Sequence, residues 1–284
     1  MERDLGFWTV TGYWLVSLAL YGLKWVSAEW DQCTRYGKLA PRTLHTTWSV
    51  TYRWAFRSMY SWAVVQSVAL LNVLAARRGW QWVCMEKNGP SACLLPLGLF
   101  TLHALRRCYE GYRVHRYSER CMSAGLWLSG WSFYVMAPLT LARVGAECAQ
   151  GEARMHPASD SIGLWMGTLS LFVGGNILQH AAHAQLAAAR AADAKPSYHV
   201  LHGGMFACVA CPHYLAEILI YLSLTLSCLL LRPQLKSFMP VLLMLAFVAI
   251  NLTHNAHRTR AWYLRAFPAG AFPPHRRALI PCLV

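Results

Sequence analysis

The stretch SIGLWMGTLSLFVGG, residues 161–175, contains no charged side chain, and residues 176–187 add only amides and histidines to the apolar run. A helix that crosses a bilayer needs about 20 consecutive, mostly apolar residues. We therefore predict a membrane span over residues 161–187. An apolar run of this length is too long for the core of an ordinary soluble protein. It therefore indicates a membrane protein, in which the other long apolar runs are also interpreted as spans.

Six further runs meet the same criterion. They cover residues 7–26, 54–76, 92–112, 121–143, 205–231 and 235–256. No repeat or separate soluble segment interrupts them. The sequence thus predicts an all-α membrane protein, with seven transmembrane helices in one bundle and a single domain over residues 1–284.

The composition agrees with this class. The chain has 284 residues, 56% of them hydrophobic, a mean hydropathy of +0.30 and only 13% charged residues, against about 25% in soluble domains. The net charge of +14 comes from short basic segments between apolar runs. Such segments set membrane topology, so nucleic acid is not a predicted partner.

The basic residues also predict orientation. Sixteen lysines and arginines fall in the segments on one side and eight on the other, which places the C-terminus in the cytoplasm by the positive-inside rule. The N-terminal MERDLGFWTV has no basic leader region, so the first run is expected to be a retained span.

The ten cysteines show no metal-binding framework. Cys208 and Cys211 form the one CxxC, and a structural zinc site needs four ligands. We predict two small buried residues on a helix there, and no metal. Cys84, Cys93 and Cys148 fall on one predicted side and could pair if that side is oxidising.

Polar side chains follow the apolar part of the fifth run. Ionisable residues at membrane depth are costly and mark candidate functional sites. Gln179 and His183 are four residues apart and share one helical face with Arg190. The alternative is a helix that leaves the bilayer, whose polar end is simply solvated.

The segment YHVLHGGMFACVACPHYLAE, residues 198–217, is denser in polar residues. Gly203–Gly204 predicts a turn, and His213 and Glu217 lie one helical turn apart, where they could bond each other or hold a ligand. Pro212 is expected to break or kink a helix.

The C-terminal tail is basic. It could bind anionic lipid headgroups or hold the phosphates of a dinucleotide through guanidinium groups. The arginines concerned are Arg258, Arg260, Arg276 and Arg277, near Tyr263. Since no glycine-rich dinucleotide fingerprint occurs, such a cofactor would have to lie among helices.

The motifs WYLRAF (262–267) and FPPHRRALIP (272–281) resemble the C-terminal signature of the steroid 5α-reductase family. PHYLAEILIYLSL (212–224), LHALRRCYE (102–110) and RYGK (35–38) resemble its polyprenol (polyprenal) reductase branch. The resemblance implies a seven-span bundle that opens sideways to the bilayer, with NADPH on the cytoplasmic side. It also implies an endoplasmic reticulum membrane protein on the dolichol route to N-glycosylation.

Positions that match the family's motifs are expected to have the family's roles in cofactor binding. The positions implied for NADPH contact are Gln179, His183, Arg190, Tyr198, His213, Glu217 and Tyr263, and Arg276 matches the arginine near the family's C-terminus. The cofactor part is thus expected mainly within residues 170–284, and a lipid groove mainly within residues 1–145.

The sequence also departs from the steroid enzymes. Their catalytic Glu and Tyr correspond to Met59 and Ala104, although the neighbouring His103 is kept, so His103 and Tyr60 are the candidate catalytic residues. Further departures are Asn255, His199 and Arg260. The loss of the Glu and Tyr argues against a 3-oxo-steroid substrate.

The chemistry of hydride transfer favours one type of isoprenoid substrate. Hydride attacks an electron-poor carbon, which an allylic alcohol lacks and an α,β-unsaturated aldehyde offers at its β-carbon. A polyprenal, reduced to the dolichal, is therefore the expected substrate, and no obligatory protein partner is expected. The alternatives are a steroid enone reductase, an isoprenylcysteine-type methyltransferase using S-adenosylmethionine, which Pro212-His213-Tyr214 echoes, and a non-catalytic lipid-binding protein or transporter.

Overall fold

The computed structural model describes residues 2–35, 39, 48–76, 91–149, 158–191, 198–231 and 234–281. The helices are α1 (Glu2–Gly22), α2 (Ala28–Cys33), α3 (Tyr52–Ala76), α4 (Ser91–Arg113), α5 (Ala124–Ala149), α6 (Ala158–Ala191), α7 (Pro212–Leu230) and α8 (Leu235–Ala266). Two short strands, β1 (Ser49–Thr51) and β2 (Cys121–Ser123), pair antiparallel with Val50 opposite Met122. Short 3₁₀ turns cover Leu23–Trp25 and Gly204–Ala207.

Seven of these helices coincide with the seven predicted apolar runs. Four of them are long and apolar enough to cross a membrane, over Tyr52–Ala76, Ile162–Ala191, Pro212–Leu230 and Leu235–Ala266. The all-α membrane class is therefore confirmed. The number of seven spans and the side of the C-terminus stay predictions.

Several predicted boundaries were wrong. The sixth run was expected to start at residue 205, but α7 starts at Pro212, because proline lacks the N–H and suits the first helical position rather than an interior one. Residues 204–211 form a turn and a short extended segment, in which Ala210 N donates to Arg277 O at 2.9 Å. The fourth run loses residues 121–123 to β2, and the last helix continues to Ala266.

The core joins all the long helices. α6 packs along α7, α3 packs against α4 and α5, and α8 packs against α7 and α1. Trp14 of α1 is fully buried and its indole donates to Thr140 Oγ1 of α5 at 3.0 Å. This contact satisfies the single polar group of a large apolar side chain.

α6 and α7 approach closely at Gly175. A Cβ atom added there would lie 2.8 Å from the Ile220 side chain, so only glycine allows this spacing. Gln179 lies one turn further along α6 and faces Glu217 of α7 as a result. The glycine thus sets the distance across which the functional side chains meet.

The two ends of α4 differ in chemistry. Cys93 near its start forms a disulfide with Cys148 of α5. The sequence left open which of Cys84, Cys93 and Cys148 would pair, and Cys84 lies outside the described residues. At about 1.5 Å per residue, Arg107 lies about 20 Å further along the helix. The disulfide and the charged residues of α4 are therefore at opposite ends of the bundle.

Candidate active site

The inner faces of α4, α6 and α7 bring together a cluster of polar side chains, which we call the interior network. Its members are His103, Arg106, Arg107 and Glu110 of α4, Asn176, Gln179, His180 and His183 of α6, and Glu217 of α7.

Glu110 is the centre of the network. Its carboxylate is completely buried and contacts both Arg106 and Arg107. His180 Nδ1 lies 2.8 Å from Oε1, and His183 Nδ1 lies 2.9 Å from Oε2. Each oxygen therefore has one guanidinium and one imidazole partner, which is how a buried carboxylate stays ionised.

Glu217 is the second carboxylate of the network, and its side chain is 15% exposed. It accepts a hydrogen bond from Gln179, and its Oε1 lies 3.4 Å from His103 Nε2. Gln179 also donates to the carbonyl oxygen of His213 at 3.3 Å and accepts from Arg106. Gln179 thus links the two carboxylates and fixes the first turn of α7.

The two predicted catalytic residues meet this network from different sides. His103 Nδ1 lies 3.2 Å from Asn176 Oδ1. Tyr60 of α3 is buried, and Arg107 Nη2 donates to its hydroxyl oxygen at 2.7 Å. Since Arg107 supplies the proton of that bond, the Tyr60 hydroxyl keeps its own proton for another acceptor.

Glu110, His115 and His183 have ligand atoms close enough to hold a metal ion. However, Arg107 Nη1 contacts all three, at 2.7 Å from His183 Nδ1 and 3.3 Å from His115 Nε2. A guanidinium already supplies the positive charge that these groups surround, so they do not suit a divalent cation. Burial and Arg107 lower the pKa of His115, which follows α4, to about 4.

A second feature, which we call the cleft, opens beside α6 and α8. Its volume is about 160 Å³, and its lining residues include Arg190, Tyr198, His199, His213, Tyr214 and Tyr263. The Arg190 guanidinium carbon lies 5.4 Å from the centre of the Tyr198 ring. Arg190 Nη1 also donates to Arg116 O at 2.7 Å.

His213 connects the cleft with the interior network. Its ring lines the cleft and lies 5.6 Å from the His183 ring, while its carbonyl oxygen accepts from Gln179. Of the ten predicted site residues, Tyr60, His103, Gln179, His183 and Glu217 meet in or beside the network. Arg190, Tyr198, His213 and Tyr263 line the cleft.

Arg276 does not line the cleft and lies behind it. It donates to Leu201 O at 2.8 Å, and its guanidinium lies 4.9 Å from the Phe272 ring, which stacks on Tyr263. Two other tail arginines, Arg258 and Arg260, also have protein partners. Arg260 donates to the carbonyl oxygens of Pro274 and Arg276, and Arg258 pairs with Asp31 at 2.8 Å.

The CxxC prediction was wrong in part. Cys208 is exposed and Cys211 is buried, and both precede α7 rather than lying on a helix. Gly204 explains the local path, since its φ of +56° lies in the left-handed region that favours glycine. The expected turn at Gly203–Gly204 is confirmed.

The sequence interpretation missed Arg106, Arg107 and Glu110. The two arginines were counted only among the sixteen basic residues of the cytoplasmic side, yet they lie within α4 and Arg107 is only 9% exposed. Their spacing to Glu110, three and four residues, gave the signal, because ion pairs at this spacing share a helix face. The solvated alternative for the end of α6 is also wrong for Gln179 and His183, which are buried.

Comparison with known proteins adds to this geometry. Residues 121–284 match the family model described as 3-oxo-5-alpha-steroid 4-dehydrogenase. A polyprenal reductase of Caenorhabditis elegans is 34% identical over 68% of this chain, and polyprenal reductase 1 of Arabidopsis thaliana is 30% identical over 64%. A polyprenal reductase of Danio rerio is 27% identical over 87% of this chain and 85% of its own length.

The chain spans 61% of the length of the worm protein and 62% of the Arabidopsis protein. The family match covers more than half of this chain and includes α5 to α8 and the tail. It therefore contains every described lining residue of the cleft except Leu39, and the α6 and α7 sides of the interior network. The chain belongs to the 3-oxo-5-alpha-steroid 4-dehydrogenase family, and relatives named polyprenal reductase are among its matches.

Proposed function

We propose that this chain is an NADPH-dependent reductase that saturates the α,β double bond of a polyprenal to give the dolichal. The observation that carries the proposal is a cationic, aromatic cleft that adjoins a buried network with His103, Tyr60 and Glu217. Membership of the family and the names of its relatives support the same reaction class.

The cleft suits part of a dinucleotide. None of the described residues that line it carries a carboxylate side chain, while Arg190 offers a guanidinium that can hold a phosphate. Tyr198 and Tyr263 offer aromatic faces for a ring. A volume of about 160 Å³ is below the roughly 300–1,000 Å³ of whole-ligand pockets, so the rest of a dinucleotide would lie along the open rim.

When bound, NADPH supplies a hydride from its nicotinamide ring. In the proposed arrangement His213 and Glu217 hold the nicotinamide amide, and Gln179 and His183 fix these two side chains. The substrate oxygen gains negative charge as the β-carbon is reduced, and a positioned donor stabilises that charge. Tyr60 can serve as this donor because Arg107 already donates to its oxygen, and His103 is the other candidate.

The proposed topology has seven spans in the endoplasmic reticulum membrane, with the C-terminus in the cytoplasm. The Cys93–Cys148 disulfide then lies at the oxidising lumenal end, and the interior network lies at the cytoplasmic end, where NADPH is available. A long isoprenoid stays in the bilayer, so the aldehyde would reach the network laterally between the N-terminal helices.

The residues at the steroid enzymes' catalytic positions support an isoprenoid over a steroid. Met59 and Ala104 are buried at 4% and 1% exposure, so neither position places a carboxylate or a phenol in the interior. Tyr60 lies beside Met59 and provides a hydroxyl from the adjacent position of α3.

In the direct test, membranes that contain the protein are incubated with NADPH and with one of three substrates. These are a polyprenal, the matching polyprenol and a 3-oxo-4-ene steroid. Product mass is then measured. We expect a gain of two hydrogens with the aldehyde alone. Reduction of the steroid alone would replace the proposed substrate, and no reduction of any of the three would reject the reductase.

A binding test addresses the cofactor. We expect purified protein to bind NADPH and not S-adenosylmethionine, and Glu217→Ala or Gln179→Ala to abolish NADPH binding while membrane insertion is kept. Glu119→Ala, on an exposed side chain of the loop after α4, is the matched control. Binding of S-adenosylmethionine alone would favour the methyltransferase. Full NADPH binding by both variants would show that the cofactor site lies away from Glu217 and Gln179.

A further inference from the structure

Tyr221 of α7 is a buried tyrosine with an unused hydroxyl. The residue has 0% exposure, and its hydroxyl has no hydrogen-bond partner among the described protein atoms. A buried polar group without a partner reduces stability. Phenylalanine would fill the same space without that cost, so packing alone does not explain the hydroxyl.

The position of Tyr221 connects it with the interior network. It follows Glu217 by four residues, hence on the same face of α7. Its ring meets the His103 ring edge to face, at 6.2 Å between centres and 79° between planes. The hydroxyl is also within electrostatic range of Glu217, Tyr60 and Arg107.

Aromatic side chains of α5 separate Tyr221 from Tyr60. Phe133 lies 5.8 Å from the Tyr221 ring, and Tyr134 lies 5.1 Å from the Tyr60 ring. Phe133 and Tyr134 are themselves 5.2 Å apart. Tyr60 and Tyr221 therefore flank one aromatic wall, and both stand beside the same buried charges.

The polar contacts of the neighbouring side chains differ from those of Tyr221. His103 faces Asn176 and Glu217 through its two ring nitrogens, and the Tyr60 oxygen accepts from Arg107. The Tyr221 hydroxyl has no hydrogen-bond partner among the described residues, so its O–H, like the proton that Tyr60 keeps, could engage a substrate oxygen without displacing a protein partner.

We propose that Tyr221 is a further catalytic residue, whose hydroxyl donates a hydrogen bond to the carbonyl oxygen of the unsaturated aldehyde. This rests on the reductase function proposed above. The hydride adds to the β-carbon, the carbon–carbon π electrons move toward the carbonyl, and the oxygen carries the resulting enolate charge. Tyr221 stabilises that charge, and a proton from solvent then adds to the α-carbon to complete the aldehyde.

The test compares Tyr221→Phe with Ser227→Ala. Ser227 lies on the same helix and is equally buried, but its hydroxyl already donates to Leu224 O at 2.7 Å. With polyprenal and NADPH, we expect Tyr221→Phe to lower kcat by about 100- to 1,000-fold, as loss of one oxyanion donor does, with NADPH affinity unchanged. Ser227→Ala should keep wild-type kcat.

Two measurements without turnover separate catalysis from folding. Removal of an unpartnered hydroxyl should leave the Tm in detergent unchanged or raise it. In infrared spectra of bound ¹³C-carbonyl-labelled polyprenal, with NADP⁺ present, the carbonyl band should shift to lower wavenumber in the wild type. Tyr221→Phe should lose this shift.

The outcomes distinguish the two proposals. If wild-type protein reduces polyprenal and Tyr221→Phe keeps its kcat and carbonyl shift, the role of Tyr221 is wrong and the reductase stands. A lower Tm together with an unchanged carbonyl shift makes Tyr221 structural only and equally overturns the role. If the wild type neither reduces nor binds polyprenal, the proposed function fails first.

Discussion

The interior network and the cleft are both rich in polar residues, yet they use them in opposite ways. In the network, Glu110 is enclosed by two arginines and two histidines, and every one of these partners is a protein group. In the cleft, Arg190 and its aromatic neighbours line a wall that faces outward.

The difference indicates separate tasks. Paired charges around a buried carboxylate are held rigidly, because breaking any contact leaves a neighbouring charge buried and unpaired. Such a network can orient His103, Tyr60 and Glu217. A cation on a cleft wall has binding capacity left for a ligand, so the cleft is suited to recognition and the network to positioning.

Removal of the central carboxylate is expected to have the largest effect. Glu110→Gln leaves Arg106 and Arg107 buried without their common partner, and the loss from breaking a buried pair is about 3–5 kcal/mol. Thermal unfolding in detergent measures it. Glu119→Gln, at a side chain that is 96% exposed, should leave the Tm unchanged, and equal behaviour of the two variants would remove the network's structural role.

A variant in the cleft should lose NADPH affinity and keep its thermal stability. Arg190→Ala is expected to weaken NADPH binding about 10- to 100-fold, since a hydrogen bond to a charged group contributes about 1.5–3 kcal/mol, with little change in Tm. Arg265→Ala, on the exposed last turn of α8, is the control. NADPH fluorescence titration checks both, and a Tm loss in Arg190→Ala without loss of affinity would contradict the assignment.

The smallest effect concerns His115, at the edge of the network. Its pKa falls from 6.5 to about 4 through burial and Arg107, so the folded protein binds fewer protons than the unfolded chain between these values. Stability should therefore decrease as pH falls, by roughly 1 kcal/mol between pH 7.5 and 5.5, and level off below about pH 4.

The measurement for His115 is the Tm in detergent across that range, for the wild type and for His115→Gln. The variant should have a shallower slope, because it lacks the titrating group. Identical slopes would show that His115 titrates as an exposed histidine and is not held by Arg107.

Much of the fold could be predicted from the sequence. Long apolar runs have few alternatives to the helix in a membrane, because every backbone polar group must be satisfied within the segment. The positions of the seven long helices followed from this. The start of α7 did not, since a hydropathy run does not show that residues 204–211 pair with the tail at Arg277.

The candidate site was predictable only where residues of one helix act together. Gln179 with His183, and His213 with Glu217, are spaced at one turn, and the resemblance to a family named them. Arg107 was counted only as a topology determinant, and Glu110 was named only as part of the motif LHALRRCYE. Only the packing of α6 against α4 encloses them.

The sequence by itself determined the class of the protein and the helices that carry its polar residues, because hydrophobic length and helical periodicity are local properties. The tertiary structure decided which of these polar groups are paired, which line the cleft, and that the Tyr221 hydroxyl has no hydrogen-bond partner among the described residues. Those outcomes depend on distances between residues far apart in the chain, such as the close approach that Gly175 allows between α6 and α7.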